Sequence, residues 1–113
     1  MASTESHPVV EHAEIRVPAG REEEFEQAFV RAHAVIREAA GYRWARLLRQ
    51  AEDASTYLLL VGWDTLEAHT VDFRGSERFT QWRAVVGEFF DGPPTVVHYG
   101  AEAVGGDEVP LGV

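Results

Sequence analysis

The chain has 113 residues, 45% of them hydrophobic, and its aromatic complement is six Phe, three Trp and three Tyr. A chain of this length forms one domain and buries roughly two thirds of the surface that its unfolded form exposes. Nineteen acidic against ten basic residues give a net charge of −9, which excludes nucleic-acid backbones and anionic membrane faces as partners. The absence of cysteine excludes disulfides, thiolate metal or cluster sites and a thiol nucleophile.

Residues 1–7 lack the basic region and apolar core of a signal peptide, and no apolar run approaches the ~20 residues that cross a bilayer. The expected location is the cytoplasm, with residues 1–8 as a loose N-terminal tail. Val9–Val17 alternates, with Val9, Glu11, Ala13, Ile15 and Val17 on one face and Val10, His12, Glu14 and Arg16 on the other, which predicts a strand. Pro18-Ala19-Gly20 ends it. Glu22, Glu23 and Glu24 then place negative charge where a helix N-terminus favours it, and Phe25, Ala28, Phe29, Ala32, Val35, Ile36 and Ala39 follow at helical spacing. An amphipathic helix is expected over Arg21–Ala40, stopped by Gly41.

Tyr42–Arg49 alternates less cleanly, with Tyr42, Trp44, Arg46 and Leu48 opposite Arg43, Ala45, Leu47 and Arg49, and reads as an edge strand blunted by charge. Residues 51–54 form a hairpin connection into a third strand, Ser55–Trp63, whose run Tyr57, Leu58, Leu59, Leu60, Val61 is apolar on both faces. Asp64-Thr65 offers an N-cap for a short helix over Leu66–Phe73. Arg74-Gly75-Ser76 interrupts it before a second helical piece whose inner face is Phe79, Trp82, Val85 and Val86. Asp91–Pro94 ends that piece, Thr95–Tyr99 forms a last strand, and residues 102–113 are expected as a tail.

The order strand, helix, strand, strand, helix, strand over residues 9–101 predicts an α+β fold. Its simplest form is a ferredoxin-like four-stranded antiparallel sheet with two helical segments on one face. Two helices leave the other face open. The two-sided apolarity of the third strand then calls for a second copy of the chain, so the expected partner is the protein itself.

The spans Val10–Phe25, Leu59–Thr70 and Phe73–Phe79 resemble the antibiotic biosynthesis monooxygenase domain family. The resemblance covers about residues 9–101 and implies the dimeric α+β barrel, two ferredoxin-like units with their sheets packed together. It implies one of several activities, including anthrone oxidation without a cofactor and haem degradation. Matched from the tryptophan, the anthrone oxygenases' Asn, Trp, Tyr and Arg fall on Leu59, Trp63, His69 and Arg83. Trp63 and Arg83 agree, whereas Leu59 cannot hydrogen-bond substrate and His69 replaces a phenol. The haem-binding positions fall on Glu11 or His12 and on Gln81 to Arg83, which disfavours haem; no cofactor and no metal is expected.

His69, turned toward the sheet on one face with Leu66 and Phe73, is the candidate general base, against the plainer alternative of a helix histidine that donates one hydrogen bond. Arg83 and Arg74 are the candidates for holding an enolate or carboxylate, against the plainer alternative of surface pairing with Glu77, Glu88 or Asp72. Arg83 adjoins Trp82, and the periodicity turns Trp82 inward. Trp44, Trp63, Trp82, Phe73, Phe79 and Tyr99 are candidates for lining a flat cavity, or for ordinary core. His12 and His98 are expected as cross-strand partners on the first and last strands, with a hydrogen-bonded pair favoured over a metal site. His33 and His7 read as solvent residues. The function these residues support is a small cofactor-independent monooxygenase acting on a hydrophobic, aromatic metabolite. An isomerase or cyclase on the same scaffold, or a non-catalytic dimeric binding module, is the alternative.

Overall fold

The computed structural model describes residues 7–100 and 102–106; most of both expected tails lies outside these. Four strands, β1 (Val9–Arg16), β2 (Tyr42–Arg49), β3 (Thr56–Trp63) and β4 (Thr95–Tyr99), form one antiparallel sheet in the order β2-β3-β1-β4. Helices α1 (Glu22–Ile36) and α2 (Glu77–Val86) lie side by side on one face, so the fold is the α+β ferredoxin-like arrangement. No helix among the described residues is long and apolar enough to cross a membrane.

Helix α1 begins beside Glu22, Glu23 and Glu24 and buries one stripe, Phe25, Ala28, Ala32 and Ile36, against the sheet. It ends at Ile36 rather than Ala40, and a tightened turn follows, closed by Ala39 N donating to Ile36 O. Gly41, at φ +83°, then reverses the chain as a residue without Cβ does most easily. The inward residues of β1 and β3, among them Ala13, Ile15, Leu59 and Val61, complete the core under the helices. His33 is not a solvent residue: its Nε2 lies 2.8 Å from the Tyr42 hydroxyl in a half-buried pair.

Strand β2 is an edge strand, and its uneven alternation has a cause. A bulge between Tyr42 and Trp44 shifts the register against β3, so Tyr42 packs on the helix side against Trp63 while Trp44 lies on the open face over Gly62. The open face carries Val10, Leu58, Leu60 and Trp44, with Val97 and Tyr99 44% and 58% exposed.

Glycine tolerance should follow this geometry. A Cβ on Gly41 would meet Ala68 Cβ at 2.6 Å in addition to the strain of positive φ, whereas one on Gly20, at φ +95°, meets nothing within 4 Å. In urea denaturation, Gly41→Ala should cost about 2–4 kcal/mol and Gly20→Ala about 1 kcal/mol; equal costs would remove the steric part of the argument.

Candidate active site

After β3 the chain turns back over the sheet through a π-helical stretch, Ala68–Phe73, started by the Thr65 hydroxyl, which accepts from Ala68 N at 3.1 Å. Arg74 N donates to His69 O across five residues at 3.1 Å. The wide turn directs both His69 and Phe73 inward, while Leu66, expected on the same face, stays 40% exposed. Ser76 then starts α2, its hydroxyl accepting from Phe79 N at 3.2 Å and donating to Phe73 O at 2.6 Å.

His69 is 3% exposed and lies flat on Trp63, with ring centroids 5.1 Å apart and planes inclined by 17°. Beneath them, Glu11 projects from β1 and is 6% exposed. Trp63 Nε1 donates to Glu11 Oε1 at 3.1 Å, and His69 Nε2 lies 3.3 Å from the same oxygen. On the far side of the imidazole, His69 Nδ1 is 2.7 Å from His98 Nε2. Both ring nitrogens of His69 therefore face protein groups. The side chain expected as the base has no nitrogen free for a substrate.

Burial pushes the Glu11 carboxyl up to about 7, against the lowering effects of the Trp63 hydrogen bond and the Arg74 charge. Burial, helped by Arg74 and then His98, holds His69 down to about 3. His98 is likewise shifted down, by burial and then by Arg74. The cluster is accordingly built for neutral imidazoles beside a carboxyl that titrates near neutrality.

Glu11 and His69 open onto a cavity of about 370 Å³ between the sheet and α2. Phe73, Phe79, Trp82 and Phe90 make its aromatic wall, and Ala13, Ile15, Leu59 and Val96 line its sheet side. That volume lies within the ~300–1,000 Å³ range of small-molecule sites. No described residue donates to Glu11 Oε2. Trp82 Nε1 is the one sealed side-chain polar atom without a partner among the described residues, so Oε2 is not sealed, and Glu11 is among the residues that line the cavity.

Arg74 and Arg83 line the same cavity. Neither forms an ion pair with Glu77, Glu88 or Asp72 among the described residues; Glu88 pairs with Arg21 instead. Arg83 lies over the Phe79 and Phe90 rings at 6.0 and 5.7 Å from their centroids. As the periodicity required, the adjacent Trp82 turns inward and Arg83 stays exposed.

Of the residues singled out in the sequence, His69, Trp63, Phe73, Trp82, Arg74, Arg83 and His98 gather in or beside this site. Trp44 and Tyr99 do not, since both occupy the open sheet face. His12 and His98 are not cross-strand partners. The register sets His12 opposite Val97 and Glu11 opposite His98, so the two imidazoles point to opposite faces and cannot share a ligand. His12 packs instead edge-on against Tyr99 at 5.4 Å. Glu11, absent from the expected catalytic set, sits at its centre. The signal for it was present in the alternation, which placed a carboxylate among Val9, Ala13, Ile15 and Val17.

These shifts have opposite effects on stability. The folded state holds a proton on Glu11 that the unfolded chain loses above about pH 4.5, so this contribution fades as pH rises through 7. His69 in the folded state gives up a proton that the unfolded chain keeps below pH 6.5, so its contribution grows as pH rises from about 3 to 6.5. Glu11→Gln removes the first effect alone. Its stability relative to the native protein should improve between pH 4.5 and 7 by roughly 3 kcal/mol, read from urea denaturation at a series of pH values. A difference that stays flat across that window would mean that Glu11 titrates as an exposed carboxylate.

Residues 8–85 match the family model described as antibiotic biosynthesis monooxygenase. Uncharacterized protein YczJ of Bacillus subtilis (strain 168) is 42% identical over 91 residues, covering 80% of this chain and 96% of that protein. Among solved structures, an antibiotic biosynthesis monooxygenase family protein from Bordetella bronchiseptica aligns with a TM-score of 0.82 at 38% identity, over 87% of this chain and 99% of that one. SnoaB of Streptomyces nogalater, a cofactor-independent oxygenase, shares the fold with a TM-score of 0.69 at 19% identity, over 91% of this chain and 99% of its own. With the matched segment running from the start of β1 nearly to the end of α2, the chain belongs to the antibiotic biosynthesis monooxygenase family.

Proposed function

We propose that this protein is a cofactor-independent oxygenase of the cytoplasm, acting as a homodimer on a hydrophobic, aromatic, polyketide-like metabolite, with Glu11 as the base. The observation that carries this reading is the Glu11 carboxyl: buried, raised to about 7, held at Oε1 by Trp63 and His69, without a donor to Oε2 among the described residues, and lining an aromatic cavity. A base works best when its pKa lies near the operating pH, and burial has moved an ordinary glutamate there.

In the proposed reaction, Glu11 Oε2 takes a proton from an activated methylene of the substrate. The resulting carbanion or enolate is rich enough in electrons to reduce dioxygen. The oxygen–oxygen bond breaks after addition, leaving a carbonyl on the substrate and releasing the second oxygen as water, so the substrate itself supplies the electrons. Arg74, whose charge acts on Glu11, His69 and His98 alike, stabilises the anion as it forms. Arg83 offers a second cation at the cavity for an acidic or phenolic substituent. His69 serves as the positioning group for Glu11. SnoaB, with the same fold and an oxygenase activity that needs no cofactor, supports the reading.

Oxygen uptake with a panel of anthrones and related phenols, using metal-free protein, tests it. Glu11→Gln should lower kcat by about 10²–10⁴-fold, the usual contribution of a positioned base. Arg74→Gln should raise KM for acidic substrates more than for neutral ones. Product formed without oxygen consumption would replace oxygenation with isomerisation by the same carboxyl. Native protein with full activity after Glu11→Gln would remove Glu11 from the mechanism.

The homodimer is proposed on the apolar open face, where Leu58, Leu60, Val97 and Tyr99 have no partner within the chain's own helices. Light scattering at micromolar concentration should give twice the chain mass. Leu60→Arg should give a monomer that keeps the sheet and helices by circular dichroism; a native monomer would refute the dimer.

A further inference from the structure

We infer that His98 is the proton port of this site, a positioning residue through which Glu11 exchanges protons with solvent without water entering the cavity. The inference rests on the reading of Glu11 as the base and adds a role for an edge-strand histidine. Glu11 and His69 line the cavity, whereas His98 does not line it and is only half-buried on β4. The three side chains nevertheless form one unbroken line, Glu11 Oε1 to His69 Nε2 at 3.3 Å and His69 Nδ1 to His98 Nε2 at 2.7 Å. No described residue bonds His98 Nδ1. The line therefore begins at a carboxyl inside the cavity and ends at a half-exposed ring.

Neutral imidazole carries one N–H, and each shared contact needs one proton between two heavy atoms. Two arrangements, which differ in whether the carboxyl's proton lies on Oε1, mark the ends of a transfer along the line. With Glu11 ionised, His98 Nε2–H donates to His69 Nδ1 and His69 Nε2–H donates to Glu11 Oε1. With Glu11 protonated on Oε1, Oε1–H donates to His69 Nε2, His69 Nδ1–H donates to His98 Nε2, and His98 carries its proton on Nδ1.

The first arrangement becomes the second when solvent protonates His98 Nδ1. The Nε2–H bond of His98 then breaks as His69 Nδ1–H forms, and the Nε2–H bond of His69 breaks as Glu11 O–H forms. One proton enters, one appears on the carboxyl, and both rings remain neutral. The reverse sequence discharges a proton held on Oε1; one taken from substrate at Oε2 joins the line when the carboxyl rotates to exchange its two oxygens.

The groups facing the line favour this route. Trp63 from β3 holds Oε1 and stacks on His69, and Arg74 after the π-helical turn places a cation near all three side chains. A cation and a desolvated site both penalise imidazolium. A proton is thus passed along rather than trapped on either ring. When an apolar ligand displaces water from the cavity, the line persists, because all its contacts are between protein groups.

The test is nitrogen-15 NMR of histidine-labelled full-length protein. As Glu11 ionises with rising pH, the ring shifts of native His69 and His98 should change together, both from the Nδ1–H to the Nε2–H tautomer; a His98 that keeps its tautomer while His69 changes would overturn the inference. His98→Gln keeps a polar contact to His69 Nδ1 but cannot relay a proton. Solvent exchange of the His69 ring N–H should slow at least tenfold in this variant while the backbone amide spectrum stays native. Unchanged or faster exchange would overturn the port. Neither readout needs turnover: absence of oxygen uptake would remove the oxygenase reading and leave the port, while uncoupled tautomers would remove the port alone.

Discussion

Strand β1 runs between β3 and β4, and its register against both decides which side chains meet under the helices. Because side chains alternate with period two, a slip of one residue would send Glu11 to the open face and bring His12 inside. The register is anchored by what the inner face must bury. Ala13, Ile15 and Val17 are all at most 3% exposed, and moving them outward would forfeit roughly 1–3 kcal/mol for each large aliphatic side chain. Hydrophobic burial along the rest of the strand thus drags one carboxylate into the core with it.

That carboxylate is tolerable because the end of β3 and the following turn supply its partners. Trp63 donates an indole N–H, and the π-helical stretch widens the backbone enough to lay His69 flat over Trp63 and within reach of Glu11. An unpaired buried charge would cost several kcal/mol; the protein keeps the cluster neutral by raising the carboxyl and suppressing the imidazoles. The same neutrality makes the group useful, since a carboxyl near its own pKa can both take and return a proton. Electrostatics around it are local: in a chain of net charge −9, two arginines line the cavity without a carboxylate partner among the described residues.

Much of this was legible. Each strand and helix falls within a few residues of the position its pattern indicates, and the inward turn of Trp82 against Arg83 follows from helical spacing alone. Other features depended on details that periodicity does not carry. The bulge at Tyr42/Trp44 splits two aromatics that simple alternation puts together, and the π-helical turn frees Leu66 from the face it would share with His69 in a regular helix. Glu11 was visible at an inward position, but its meaning depended on Trp63 and His69, which lie 52 and 58 positions further along the chain.

The sequence by itself determined the α+β class, the element order, the open apolar sheet face and the absence of thiol chemistry, because composition and local periodicity are properties of neighbouring residues. Only the tertiary structure decided that His98 belongs with His69 instead of His12, and that the carboxyl lining the cavity is that of Glu11. Pairing register and turn geometry are settled by the packing of the whole sheet against its helices. The acid–base character of each residue in turn depends on the burial and partners that this packing creates.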